Sequence, residues 1–125
     1  MKRIAFLCIR NSCRSKIAEA LCRHFAGDIF TSYSAGSEPG DNVDPTAVRL
    51  MQDIYGIDLS THRPKKISDL PKIDIIVTMG CGVACPVIPG ARRIAWQIDD
   101  PVGKGDDAYF QAIAEIEANV KSLKE

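Results

Sequence analysis

The sequence carries no excess of charge, no long apolar run and no repeat, and each absence removes a class of function. Sixteen lysine and arginine side chains balance sixteen aspartates and glutamates. No net field therefore draws the chain to nucleic acid or to an acidic membrane surface. No apolar stretch approaches the roughly 20 residues of a membrane-spanning helix. The opening Met-Lys-Arg-Ile-Ala-Phe-Leu-Cys is too short in its apolar part for a secretory signal. These readings predict a cytoplasmic protein with no nucleic-acid partner and no membrane partner. Linkers and low-complexity segments are also missing, and 125 residues predict a single domain, 1–125, able to bury a core. What the chain does have is cysteine, at positions 8, 13, 22, 81 and 85. An odd number does not suit a static disulfide framework. In a reducing compartment such thiols point to catalysis, redox cycling or metal binding.

Hydrophobic patterning predicts alternating strands and helices. A strand covers about Arg3 to Leu7, and a helix about Arg14 to Ala26 buries Ile17, Ala18, Leu21, Cys22 and Phe25. Ile29 to Ala35 reads as a second strand, followed by a turn-rich stretch to Val43. Asp44-Pro45 is an N-cap with proline at the first helical position; that helix buries Val48, Met51 and Tyr55 and closes at Gly56. A polar loop runs from Ser60 to Lys66, with a short turn near Ser68–Leu70. Ile73 to Met79 has the apolar character of a strand buried on both faces. Arg92 to Ile98 is a fourth strand, and Asp106 or Asp107 caps a last helix with a stripe of Phe110, Ile113, Ile116, Val120 and Leu123. The order β-α-β-α-β-β-α predicts a three-layer α/β/α domain around a parallel sheet.

The first strand ends at Cys8, and Ile9, Arg10, Asn11, Ser12 and Cys13 separate it from Arg14-Ser15 at a helix start. A helix N-terminus presents free N–H groups and a positive dipole end, a setting that binds oxyanions and favours a thiolate over a thiol. Ligands of open α/β sheets bind beyond the carboxyl ends of strands, where Cys8 lies. Asn11 suits a left-handed backbone position, and successive N–H groups in such a turn converge on an anion. Arg14 adds a planar donor fork for a tetrahedral oxyanion, and Ser15 can donate to the thiolate. Residues 8–15 are thus predicted to form an oxyanion-binding loop with Cys8 as nucleophile. A buried strand-end cysteine is the competing reading of Cys8 alone.

The run from Cys8 to Ser15, followed by Lys-Ile-Ala-Glu, resembles the signature loop of low-molecular-weight protein tyrosine phosphatases and of the arsenate reductases built on that fold. Tyr-Ser-Ala-Gly at 33–36, Ser-Thr-His at 60–62 and Asp-Pro at 100–101 fall in the expected order. The resemblance implies a four-stranded parallel sheet of order 2-1-3-4. Thr78-Met-Gly-Cys81-Gly-Val-Ala-Cys85-Pro86 is similar to the reductase branch, which carries two further cysteines after the third strand. One helical turn would bring the two Cα atoms to about 6 Å, within reach of a disulfide. Zinc binding and an inert structural pair compete with this redox reading, though C-x3-C without a nearby histidine is poor zinc grammar. Asp99-Asp100-Pro101-Val-Gly-Lys104 also looks like the reductase sequence, and Asp100 matches the general acid of both branches, with Asp99 as the fallback.

The resemblance therefore implies arsenate reduction through Cys8, Cys81 and Cys85, assisted by Arg14 and Asp100. The role is arsenical resistance, the reductant is thioredoxin or a similar dithiol, and no cofactor is needed. A phosphatase working through a cysteinyl-phosphate is the alternative, and a non-enzymatic thiol sensor or arsenic-binding module is a third. Glu19, Asn11 and Ser34 match positions that bind potassium in some reductases. Here Lys65 stands where an acidic ligand is expected, so its ammonium is predicted to replace the ion and no metal to bind. His62 is expected to brace the loop, His24 to lie on the helix surface, Cys22 to be core, and Cys13 to be placed for a side disulfide with Cys8.

Overall fold

The computed structural model describes residues 1–80 and 88–123. Four parallel strands form one sheet: β1 (Lys2–Cys8), β2 (Phe30–Gly36), β3 (Ile75–Thr78) and β4 (Arg92–Ala95), in the order β2-β1-β3-β4. The helices are α1 (Arg14–Ala26), α2 (Pro45–Tyr55) and α3 (Asp106–Ser122), and a 3-10 turn spans Ile67–Asp69. The expected sheet order is the one observed. β1 pairs on both sides, which is why Ile4 to Leu7 is an unbroken apolar run with every side chain fully buried. Because all strands run the same way, their carboxyl ends share one edge. Cys8 pairs with Gly36 there, and Leu7 pairs with Thr78.

Alternation along β1 divides the core. Ile4 and Phe6 face a cluster built by Ile17 and Leu21 of α1, Met51 of α2 and Ile116 of α3. Ala5 and Leu7 face the other way, onto Ala35, Ile73 and Ile76, with Ile67 and Leu70 of the 3-10 turn packed against them. Among the described residues the second face is thus covered by a short turn and its flanking chain.

Three features differ from the sequence pattern. Asp44 precedes Pro45 as predicted, but its side chain does not cap α2; it accepts a hydrogen bond from the Tyr109 hydroxyl. Asp106 is the first helical residue of α3, and Gly105 occupies the cap position with φ 90°. The stripe on α3 moves accordingly: Tyr109 is buried with Ile113, Ile116 and Val120, whereas Phe110 is exposed. The helix turns Tyr109 inward because its ring joins the core while its hydroxyl reaches Asp44. Gly56, at φ 70°, closes α2 as expected, its N–H donating to Gln52.

Leu21 is fully buried at the centre of this packing. Leu21→Ala is expected to cost about 2–5 kcal/mol. Urea unfolding checks this: the midpoint should fall while the slope stays the same.

Candidate active site

The chain leaves β1 at Cys8 and enters α1 at Arg14, and the five intervening residues wrap around the Cys8 sulfur. Asn11 has φ 52°, the left-handed geometry expected of it. Its N–H donates to Cys8 Sγ at 3.3 Å. Ser15 Oγ lies 2.9 Å from the same sulfur and takes a hydrogen bond from Asn11 Nδ2 at 2.8 Å. Asn11 Oδ1 in turn accepts from the Lys65 N–H at 2.8 Å. Cys8, Asn11 and Ser15 are all buried.

The loop carbonyls are turned outward by the segment that follows β2. The N–H groups of Ser37, Glu38, Gly40 and Asp44 donate to the carbonyls of Cys8, Ile9, Arg10 and Ser12 at 3.3, 2.8, 2.9 and 2.8 Å. In a trans peptide the carbonyl and the next N–H point in opposite directions. The N–H groups of Ile9, Arg10, Asn11 and Cys13 are therefore directed inward, as an anion requires. Gly36 permits this close approach: a Cβ there would lie 2.6 Å from the Ile9 carbonyl oxygen and 2.9 Å from the Asn11 nitrogen.

Arg14 is anchored from across the sheet. It donates to the Ile98 carbonyl at 2.8 Å and lies against Gly80, where a Cβ would stand 2.6 Å from a guanidinium nitrogen. A cavity of about 500 Å³ opens above the loop, with Cys8, Arg14 and Asp100 all on its wall. Asp100 is exposed and accepts from the Val102 N–H at 3.1 Å. Asp99, the fallback acid, lines a different cleft beside α3. Cys8, Arg14 and Asp100 therefore meet at one cavity, while Cys81 and Cys85 lie outside the described residues.

Cys8, Cys13 and Cys22 are buried free thiols. Burial and the Asp44 and Asp100 carboxylates push the Cys13 thiol far above its ordinary range, so it stays protonated beside Cys8. Cys22 sits in the core as expected, its thiol pushed up to about 11 by burial.

Glu19 lies behind the loop with a buried carboxylate. Its Oε1 accepts from Ser34 Oγ at 2.8 Å and faces Lys16 Nζ at 3.5 Å. Lys16 is 1% exposed, and burial lowers its pKa against the pull of Glu19. The ammonium on this carboxylate thus belongs to Lys16, whereas Lys65, the cation expected from the sequence, is exposed and contributes its backbone N–H to Asn11. The reason is geometric: Lys16 and Glu19 share a face one turn apart on α1. With a hydroxyl and an ammonium already on one oxygen of Glu19, these residues do not fit a potassium ion. His62 Nδ1 lies 4.0 Å from Glu19, at the edge of this cluster behind the loop. His24 is exposed on α1, as expected.

With this geometry in place, likeness to known proteins becomes specific. The profile of the low molecular weight phosphotyrosine protein phosphatases matches residues 3–125. The chain belongs to that family. It is 40% identical to an arsenate reductase of Brevibacillus brevis over 130 residues, covering 99% of this chain and 95% of that protein. An arsenate reductase structure from Archaeoglobus fulgidus superposes with TM-score 0.84 at 34% identity, covering 96% of this chain and 97% of that one. A thioredoxin-dependent arsenate reductase of Corynebacterium glutamicum superposes with TM-score 0.80 at 31% identity, over 98% of this chain and 60% of that one.

The sequence motifs contain Gly80, Gly36 and Lys16 but assign them no role, and they do not reach the Ile98 carbonyl. The two glycines carried a signal, each standing where a strand ends beside the loop; a buried lysine inside a helical pattern carried none.

Two outcomes follow from these contacts. Ser15→Ala removes a hydrogen bond to the sulfur, and such bonds to charged groups stabilise by about 1.5–3 kcal/mol. Alkylation of Cys8 by iodoacetamide at neutral pH is expected to slow about tenfold or more, because 1.4 kcal/mol is a factor of ten. His62 has its pKa lowered from 6.5 by burial, with Lys16, Arg23 and Lys65 adding to the effect and Glu19 opposing it. The unfolded chain therefore takes this proton first as pH falls, and the stability held above pH 6.5 is lost below it. His62→Gln should flatten the loss of urea stability between about pH 7 and 5.

Proposed function

We propose that this chain reduces arsenate to arsenite by a thiol-disulfide relay regenerated by an external dithiol. The observation that carries the reading is Cys8 Sγ held by the Asn11 N–H and Ser15 Oγ, inside a loop of inward N–H groups that ends at Arg14. Relatives of 31–40% identity, named arsenate reductases, support it over nearly the full chain.

In the first step the Cys8 thiolate attacks arsenic. The loop N–H groups and Arg14 stabilise the charge on the remaining oxygens. Asp100 gives its proton to the departing hydroxide, a contribution of about 10² to 10⁴-fold for a placed acid. A sulfur–arsenic bond now joins the oxyanion to Cys8. Cys81, as thiolate, then attacks the Cys8 sulfur. The sulfur–arsenic bond breaks, its electron pair stays on arsenic, and arsenite leaves as a Cys8–Cys81 disulfide forms. Cys85 attacks Cys81, which frees Cys8 and moves the disulfide to the 81–85 pair. A dithiol then reduces that pair. Thioredoxin is the proposed reductant, supported by the thioredoxin-dependent Corynebacterium glutamicum relative. Cys81 follows Gly80, which packs on Arg14, by one peptide bond; this supports its role as second thiol. The setting proposed is the cytoplasm, and among the described residues no helix is long and apolar enough to cross a membrane.

The loop would also hold phosphate, so ester hydrolysis is the reading to separate. In a thioredoxin-coupled arsenate assay run beside a para-nitrophenyl phosphate assay, Cys8→Ser is expected to abolish both activities. Cys81→Ser and Cys85→Ser are expected to abolish arsenate turnover and leave any phosphatase activity intact. Asp100→Asn should lower arsenate turnover 10²-fold or more. Ester hydrolysis without arsenate turnover in the wild type would assign the chain to the phosphatases.

A further inference from the structure

A third cleft, of about 360 Å³, opens at the other end of α1. Ten residues of helix, about 15 Å, separate Arg14 from His24 at its edge. Ala20 and Ile57 give it an apolar lining, and its polar wall is Arg23, His24 and His62. The chain has two histidines, and both line this one cleft. The relay described above uses none of these groups.

Each of them keeps hydrogen-bonding capacity in reserve. Arg23 has a side chain 58% exposed; one nitrogen stands 3.6 Å from Glu19 and 3.5 Å from the Ser32 carbonyl, both at the long limit of contact. The His24 ring packs edge-on against Phe25 and Tyr55. His62 Nδ1 is 4.0 Å from Glu19. Three carboxylates lie near the cleft, and each already has partners. Glu19 is shared by Ser34 and Lys16 and also faces Arg23 and His62, Asp58 accepts from the Ser60 N–H, and Glu117 holds Tyr55 and Lys121. Neither Asp58 nor Glu117 lines the cleft. A metal ion is disfavoured, because no group of three His, Cys, Asp or Glu able to hold one occurs among the described residues.

We propose that this cleft is a binding site for a small organic anion, a carboxylate or phosphate borne on an apolar, planar body. The guanidinium of Arg23 is a planar fork matched to either oxyanion, and the imidazoles add donors. The volume falls in the range of small-molecule sites, and a bare inorganic ion would leave most of it unfilled. The Ala20 and Ile57 surfaces cover the body of such a ligand.

Benzoate is the probe, with inorganic phosphate as the anion without a body. The readout is the pair of histidine ring signals in proton NMR at fixed pH 7.5, on the full chain. Benzoate is expected to shift both His24 and His62 saturably, in the wild type and equally in Arg14→Ala, whose anion loop is disabled. Arg23→Ala, a change on the protein surface, is expected to weaken that binding at least fivefold, and phosphate is expected to bind there at least fivefold more weakly than benzoate. Unmoved histidine signals would overturn the proposal. So would shifts that vanish in Arg14→Ala but survive in Arg23→Ala, or phosphate binding as tightly as benzoate.

Discussion

Four backbone hydrogen bonds from residues 37–44 pull the carbonyls of Cys8, Ile9, Arg10 and Ser12 away from the centre of the loop. Peptide planarity then forces the following N–H groups inward. This constraint gives the loop the inward N–H groups that the proposed oxyanion site needs before any side chain acts. It also places the Asn11 N–H on the Cys8 sulfur. The rest of the fold serves this geometry. The parallel sheet delivers Cys8 and Gly36 to the same edge, and Gly36 lacks the Cβ that would push the loop off it. Asn11 ties the loop to Ser15 and to the Lys65 backbone, which closes the structure from behind.

Charge is arranged in two layers around that socket. On the open side, Arg14 is fixed by Ile98 and faces a cavity that also holds Asp100, so a cationic fork and an acid confront the same space. On the buried side, Lys16 and Glu19 form a pair within α1, with Ser34 satisfying the carboxylate. A buried ion pair adds little net stability, but removing one partner leaves an uncompensated charge. Glu19 therefore works as a fixed counterweight that keeps α1 in register with β2 beneath the loop. Cys13 fits the same scheme: burial, with the Asp44 and Asp100 carboxylates adding, favours its thiol form.

Much of this was legible in the residues, for physical reasons that differ by element. β1 and α1 were readable because a doubly buried strand and an amphipathic helix leave opposite periodicities. The loop was readable because an apolar strand end, a cysteine and an arginine at a helix start have few other joint uses. The position of Asp100 was readable through the Asp-Pro turn and its resemblance. What stayed hidden depends on contacts between distant segments. Asp44 looked like a cap because its sequence neighbours say so, yet Tyr109, 65 residues away, claims its side chain. Lys65 looked like the compensating cation, but the helix brings Lys16 closer. Tyr109 and Phe110 are adjacent aromatics, and only the true start of α3 decides which one is buried.

The central claim is the proposed relay: arsenic takes its electron pair as Cys81 displaces it from Cys8, and Cys85 then moves the disulfide to the 81–85 pair. A single turnover without external reductant tests it most directly: reduced protein is mixed with excess arsenate, quenched and mapped by mass spectrometry. The account predicts one arsenite per chain, the loss of two free thiols and a disulfide between Cys81 and Cys85, with Cys8 returned to the thiol. Arsenite released with all five thiols intact, or a disulfide confined to Cys8 and Cys13, would contradict it.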